Sequence, residues 1–343
     1  MKRHGLSLIE VEDQFGTEKQ CVDYVAAMRW PQGITCLKCG SPKVSQIVTN
    51  ETEREITNRK GEVTVRRVPS RILFQCNADP QIIDGKKIRC RHQFSATTGT
   101  LFADTHLPLT TWFKAIAIIL NAKKSVSALQ MQRDLGVNYR TAWHLDHRIR
   151  EAMQSEQGLF GGTVEVDATY HGGRFDPRRK RAAYDKQAVA GIMQRGANGE
   201  PSQVRAFPVE KEIAKVMTRV VRDNVAVDAK IMTDEHGAYM KLSKEGWEHA
   251  IVVHSKDEWV RGNVHTQSIE GFWSLFKRQV NGSHHWVSVK HLHRYLNECA
   301  FKFNNREFGQ IFALIVLKLA ITSPLRYKAL TSSSEPSEPS ASE

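Results

Sequence analysis

The stretch Thr163-Val-Glu-Val-Asp-Ala-Thr-Tyr170 is the strongest constraint on how this chain can fold. Side chains alternate between the two faces of a strand, so Glu165 and Asp167 share one face and Val164 and Val166 the other. An acid in mid-strand disfavours the strand unless it has a job or a partner. Further short apolar strands are predicted at Ala188–Met193, Val204–Pro208, Lys230–Thr233 and His249–Val253. Helices are predicted at Ile213–Asp223, Ser268–Val280, Ser288–Asn304 and Gln310–Ile321. Three strands in succession, then helix and strand in alternation, describe a mixed α/β sheet with flanking helices.

Two more acids stand where a rigid element can hold them. Asp234 ends the strand in Ile231-Met-Thr-Asp-Glu-His-Gly237, and Glu270 starts a helix after His265-Thr-Gln-Ser-Ile-Glu-Gly271, with Ser268 as its expected cap. Lys277 and Ser274 return to the Glu270 face of that helix after about two turns and one turn. Asp167, Asp234 and Glu270 are the donor set that two-metal phosphoryl transfer uses. Mg²⁺ (or Mn²⁺) takes hard oxygen ligands, and such a site needs no covalent nucleophile. Asp176, Asp185, Glu235 and Asp257 read as solvated acids. Asn263, His265 and Gln267 stand close enough in sequence to Glu270 to join the site. Glu270 is preferred because a carboxylate binds Mg²⁺ better than an amide.

Cys36-Leu-Lys-Cys39-Gly40 is a CxxC knuckle, and Cys76 and Cys90 form a wider second pair with a loop expected between them. Four thiolates make a closed tetrahedral structural zinc site, with His92 as an alternative fourth ligand. Cys21 and Cys299 fall on apolar helical faces and read as core residues.

Residues 105–156 read as helical, with breaks at Lys123–Ser125 and Gly136. Ser127 to Trp143 has the rhythm of a helix-turn-helix, Asn138 capping a second helix that carries Arg140, His144, His147, Arg148 and Arg150. Arg140, His144 and Arg148 are the candidate DNA contacts. The competing reading is a helical hairpin that only packs on its neighbours. Arg178, Arg179, Lys180 and Arg181 form a run of cations that by itself reads as a solvated hairpin; in a DNA enzyme it is expected to track phosphate. Trp247, Trp259, Trp273 and Trp286 read as core, though Trp286 beside two histidines is a candidate for a DNA-facing loop.

The 343 residues carry 49 Lys and Arg against 37 Asp and Glu, a net charge of +12, which favours a polyanionic partner such as nucleic acid. Five regions follow: a helical lead-in (1–30), a turn- and strand-rich segment with the four cysteines (31–100), the helical region (105–156), the mixed α/β region (160–328) and a Ser/Pro/Glu tail (329–343) expected to be disordered. The start has no apolar core of signal-peptide length. Ile311 to Ile321 is too short for a membrane span, so a cytoplasmic, nucleoid-associated protein is expected.

Several stretches together resemble one family. Arg29-Trp-Pro-Gln-Gly-Ile-Thr-Cys-Leu-Lys-Cys-Gly-Ser41 and Cys90-Arg-His-Gln-Phe-Ser-Ala-Thr-Thr-Gly-Thr-Leu-Phe102 resemble the entry and exit of a zinc ribbon. Val164-Glu-Val-Asp-Ala-Thr-Tyr-His-Gly-Gly173, Thr233-Asp-Glu-His-Gly-Ala-Tyr239 and Val264 to Arg278 resemble three catalytic stretches. His291-Leu-His-Arg-Tyr-Leu-Asn-Glu298 and Phe303-Asn-Asn-Arg306 resemble the closing helix. To about Tyr327 the chain is similar to bacterial insertion-sequence transposases of the DDE class, with an ISXO-like catalytic domain behind an N-terminal zinc ribbon. The resemblance implies a ribonuclease-H-like fold. It implies cleavage at the inverted-repeat ends of an insertion sequence and joining of the 3′ ends to target DNA. Asp167, Asp234 and Glu270 carry over as metal ligands and Lys277 as a DNA contact. A homodimer or larger synaptic assembly is expected, since two ends must meet. The readings set against it are a catalytically silent DNA-binding regulator and another nuclease of the same fold. The Cys76–Cys90 pair is wider than the family's usual CxxC.

Overall fold

The computed structural model describes residues 5–57, 61–68, 71–83, 86–155, 158–172, 186–197 and 199–332. They divide into two compact units. One comprises Leu6–Ala117 with Phe312–Leu325; the other is built on Ile118–Ile311, with Arg326 onward.

The first unit opens with α1 (Leu8–Phe15) and α2 (Glu18–Arg29). Each begins with a reciprocal capping box, Ser7 with Glu10 and Thr17 with Gln20. The expected helical lead-in is thus a pair of helices, broken at Gly16. Phe15 packs on Tyr24, Phe113 and Phe312 at ring distances of 4.8, 4.9 and 5.9 Å. Seven short strands follow: β1 (Val44–Thr49), β2 (Thr52–Thr57), β3 (Val63–Val68), β4 (Arg71–Cys76), β5 (Gln81–Ile83), β6 (Lys86–Ile88) and β7 (Gln93–Phe94). Strands β1, β4 and β7 form an antiparallel sheet, while β2–β3 and β5–β6 are separate hairpins. The stretch between Cys76 and Cys90, expected as a loop, thus contains a hairpin. Trp30, Phe74 and Phe94 close the small core of this sheet, with centroids 5.7–6.0 Å apart. Helix α3 (Leu109–Asn121) comes next.

In the second unit, α4 (Ala128–Leu135) and α5 (Tyr139–Ala152) are two helices joined by a short turn. Ser127 caps α4 and Asn138 caps α5. Gly136 between them takes φ of 65°, a conformation that costs glycine little. Strands β8 (Thr163–His171), β9 (Gln187–Gln194), β10 (Gln203–Val209), β11 (Lys230–Thr233) and β12 (Glu248–Ile251) join in the order β10-β9-β8-β11-β12. The β10–β9–β8 meander is antiparallel; β11 runs parallel to both β8 and β12. Pro208 lies in edge strand β10, where a missing N–H is tolerated. Helix α6 (Ala214–Asn224) covers one face, packing Val216, Met217, Val220 and Val221 on Val164, Val166, Ala190 and Ile231. Helices α7 (Gln267–Gln279) and α8 (Leu292–Asn304) cover the other, packing Ile269, Phe272, Trp273, Leu296 and Cys299 on Val189, Met193 and Ala206. The alternation in β8 therefore holds: its valines face α6. Helix α9 (Ile311–Ile321) belongs to the first unit, and α10 (Tyr327–Thr331) in the second reaches into the stretch expected to lack structure. The remainder of that tail, residues 333–343, lies outside the described residues. Among the described residues, no helix is long and apolar enough to cross a membrane.

A buried polar cluster fastens α5 to α8. Arg150 Nε donates to Glu298 Oε2 at 2.7 Å, and Lys302 Nζ donates to Glu298 Oε1 at 2.7 Å. Ser125 Oγ adds a third donor at 2.8 Å. Both Arg150 and Glu298 are almost wholly enclosed. The two cations hold the Glu298 carboxyl below the usual range despite its burial. Neighbouring Asp146 has no hydrogen-bond partner, its nearest cation contact is 3.9 Å, and burial pushes it up to about 7. Removing one member of a buried ion pair leaves the other charge stranded. Glu298→Ala is therefore expected to lose about 3–5 kcal/mol of unfolding free energy, measured by urea denaturation. A loss under about 1 kcal/mol, as for a surface pair, would mean the cluster does not hold α5.

Candidate active site and metal centre

The four predicted thiols meet. Cys36 and Cys39 lie on a turn closed by Gly40, Cys76 ends β4 and Cys90 precedes β7. Cys36 and Cys90 Sγ are 3.8 Å apart, Cys39 and Cys76 Sγ 3.5 Å, and all four atoms lie within 4.8 Å of one another. A tetrahedron with Zn–S near 2.3 Å has edges of about 3.8 Å, so the cluster fits structural zinc. The amides of Lys38 and Ala78 donate to Cys36 and Cys76 Sγ at 3.4 Å, a contact that favours thiolate. None of the six cysteines is in a disulfide. His92 is not in the cluster; its ring stacks near Phe94 and its carbonyl accepts from Cys76 N–H. Cys21 and Cys299 are buried core residues as expected.

The second centre is acidic. The β8–β11 register pairs Thr163 with Lys230 and Glu165 with Met232. Continuing that offset by two residues brings Asp234, just past the end of β11, level with Asp167. Neighbouring strands lie about 4.8 Å apart, and paired residues of parallel strands point to the same side. Glu270 approaches from the first turn of α7, where Thr266 Oγ1 donates to its Oε1 at 2.7 Å and His254 Nε2 stands 3.8 Å away. Burial, then the negative charges of Asp234 and Glu270, push Asp167 up to about 7 against the hydrogen bonds from Ala168 and Trp273. All three acids thus share one electrostatic neighbourhood. Hard oxygen donors with mutual repulsion suit Mg²⁺ or Mn²⁺, whose charge relieves it.

Sequence reading missed the residues that place these acids. Glu165, with no exposure, accepts from Arg195 Nε at 2.6 Å and from the Ile269 amide in the first turn of α7 at 2.9 Å. Trp273 Nε1 donates to Asp167 Oδ2 at 3.0 Å. That reach depends on Gly191, the cross-strand partner of Asp167: a Cβ there would meet Trp273 Cη2 at 2.7 Å and Ile269 Cδ1 at 2.9 Å. Glu212 is a fourth acid nearby. It accepts from Tyr170 Oη at 2.9 Å and Tyr239 Oη at 3.1 Å. Burial and the charges of Glu212, Asp167 and Asp234 raise the Tyr239 phenol.

Other expectations need correction. The cap of α7 is Thr266, not Ser268, and it makes no side-chain cap bond. Arg148, offered as a DNA contact, is 4% exposed, because its side of α5 turns into the protein. The same holds for His147 and Arg150, at 0% and 1%. Arg140 remains exposed, 5.5 Å from the Tyr327 ring, and His144 is half-buried against that ring. Lys277 is exposed on α7, two turns after Glu270. Trp247 and Trp273 are core, but Trp259 and Trp286 are 55% and 61% exposed. Arg178, Arg179, Lys180 and Arg181, with Asp176 and Asp185, lie outside the described residues.

A zinc-ribbon sheet together with a five-stranded mixed sheet bearing acids on its α7 side defines a two-domain, zinc-ribbon α/β protein. Residues 159–304 match the ISXO2-like transposase domain of the IS1595 group, and residues 16–93 match that group's transposase zinc-ribbon domain. Both matched domains are thus those of one group of insertion-sequence transposases. It is 24% identical over 310 residues to a protein of the transposable element ISH50 from Halobacterium salinarum, covering 86% of this chain and 92% of that one. A transposase-like protein of Haemophilus influenzae is 27% identical over 96 residues, covering 28% of this chain and 76% of that one.

Two outcomes follow from these centres. Purified protein should carry about one zinc per chain, measured by elemental analysis. Cys76→Ser should lose it and the ordered ribbon signal in NMR; retention of zinc would break the four-thiol assignment. Gly191→Ala should force Trp273 off the sheet, costing about 1–3 kcal/mol and altering the near-ultraviolet dichroism. An unchanged spectrum and stability would show that α7 tolerates the methyl.

Proposed function

We propose that the chain is an active DDE transposase whose Asp167, Asp234 and Glu270 hold two Mg²⁺ or Mn²⁺ ions at a scissile phosphodiester. The observation that carries this is the register that brings Asp234 level with Asp167 on an adjacent parallel strand, with Glu270 on the helix covering the same face. All three lie inside the matched transposase domain. The strand order, an antiparallel meander followed by two parallel strands, also supports a ribonuclease-H-like fold.

The bound ions would activate the attacking water or 3′-hydroxyl and stabilise the leaving oxygen. The chain's own residues bind and orient. Two strand-borne carboxylates fix one side of the site, and the Trp273 indole keeps Asp167 Oδ2 in place. Lys277, exposed two turns along α7, offers a cation to a phosphate. Arg140 and His144 at the start of α5 read the inverted-repeat ends, and Arg178, Arg179, Lys180 and Arg181 track the backbone. Two copies, or a larger assembly, bring the two ends together before the 3′ ends are joined to target DNA. The work is nucleoid-associated.

The test is Asp167→Asn with labelled end duplex and Mg²⁺. Cleavage and strand joining should vanish while end binding in a gel-shift assay persists. Cleavage that survives the change moves the site elsewhere. A wild-type protein that binds ends but never cuts them would be a DNA-binding regulator.

A further inference from the structure

We propose that Glu165 and Arg195 are the positioning pair of the third metal ligand. They fix the entry and first turn of α7 so that Glu270 meets the strand-borne acids. The inference rests on Glu270 being a ligand, as proposed above, and assigns a task to two residues outside the ligand set.

Three observations converge. First, the segment leading into α7 has almost no regular structure to hold it: Val253 to Thr266 contains a short 3₁₀ turn and an isolated bridge. Arg195 supplies the missing anchor. Its guanidinium donates to the carbonyls of Asn263 at 2.6 Å and His265 at 2.7 Å, and to Glu165 at 2.6 Å. A planar fork with three engaged nitrogens fixes direction as well as distance.

Second, α7 lacks the side-chain cap that its first turn needs. Glu165 takes that place from the sheet, accepting from the Ile269 amide at 2.9 Å. A carboxylate is favoured at a helix N-terminus, and this wholly buried one is met by the Ile269 amide and Arg195, with His265 Nδ1 3.4 Å away. Glu270 is the next residue along.

Third, the pair and the acids share rigid strands. Glu165 precedes Asp167 by one alternation on β8, and Arg195 directly follows β9, its amide bonded to the Thr163 carbonyl at 2.9 Å. The same strand that presents the first ligand therefore sets the height of the helix that presents the third. Trp273 over Gly191 sets that helix's rotation.

A pair acting through Glu270 changes metal affinity only while Glu270 can bind. The probe is Mn²⁺ alone, its binding to the full zinc-loaded chain followed by electron paramagnetic resonance. Arg195→Ala should weaken Mn²⁺ about 10–100-fold, and Glu165→Gln should act in the same direction. In a Glu270→Gln background, Arg195→Ala should weaken it less than about twofold further. Far-ultraviolet dichroism verifies folding, and near-isosteric Glu165→Gln carries the same cycle if Arg195→Ala does not fold. Unchanged Mn²⁺ affinity in folded Arg195→Ala and Glu165→Gln overturns the proposal, as does an equal loss with and without Glu270. If Asp167→Asn leaves Mn²⁺ binding intact, the acidic centre itself is misassigned, a failure separate from that of the positioning pair.

Discussion

A fully buried carboxylate on the middle strand of the sheet governs how the helix that begins at Gln267 is seated. Arg195 and the Ile269 amide both donate to Glu165 there, the pairing that a buried carboxylate needs. Those partners come from the end of the next strand and from a helix more than a hundred residues later. Satisfying one buried charge therefore ties β8, β9 and α7 into a fixed arrangement. Apolar packing of Ile269, Phe272 and Trp273 supplies contact area but little direction. The hydrogen bonds supply the direction, and the acid on the following residue inherits it.

The local pattern was legible. Period-two alternation gave β8 and its valine face, and the other four strands fell within about two residues of expectation because each is a short apolar run between turn residues. Asp167, Asp234 and Glu270 were picked out by sitting on or beside rigid elements. What was hidden is non-local. Nothing in Val-Glu-Val-Asp says that the glutamate is the more deeply buried acid. Nothing near Gly191 says that an indole from residue 273 needs its missing Cβ. Arg148 failed as a surface cation for a related reason: α5 turns its middle, Asp146 to Arg150, into the protein, and a charged stretch reads as solvated until its partners are known. Trp259 shows the reverse error, since an aromatic residue reads as core even where a loop leaves it outside, while the exposure of Trp286 fits its alternative reading as a loop residue.

The ribbon shows why a wide cysteine pair need not spoil a tetrahedral site. Cys76 ends β4 and Cys90 sits just before β7, and those strands are paired in register through Phe74 and Phe94. The geometry at the sulfurs is set by that pairing and by the Cys36 turn. The β5–β6 hairpin between the two cysteines projects from the ends of an already fixed pair. Loop length then costs only the slow logarithmic entropy of closure. The β2–β3 hairpin is a similar insertion between the paired strands β1 and β4.

Charge connects these features to function. The chain carries a net +12, yet Asp167, Asp234, Glu270 and Glu212 act on one another's surroundings. Concentrating acids against the average sign of the protein is unfavourable unless something offsets it, and Glu212 is met by two tyrosine hydroxyls and by His236 Nδ1 at 3.2 Å. Asp167 has only an indole and an amide, and burial first, then the repulsion of Asp234 and Glu270, raises its proton affinity. A small divalent cation removes that repulsion more effectively than a proton, because it is shared among several carboxylates at once. The net positive charge of the chain suits a polyanionic partner. Under the proposed function, a metal ion would stand between that partner's phosphate and the acids, and the sheet-to-helix clamp at Glu165 would keep the acidic part in register.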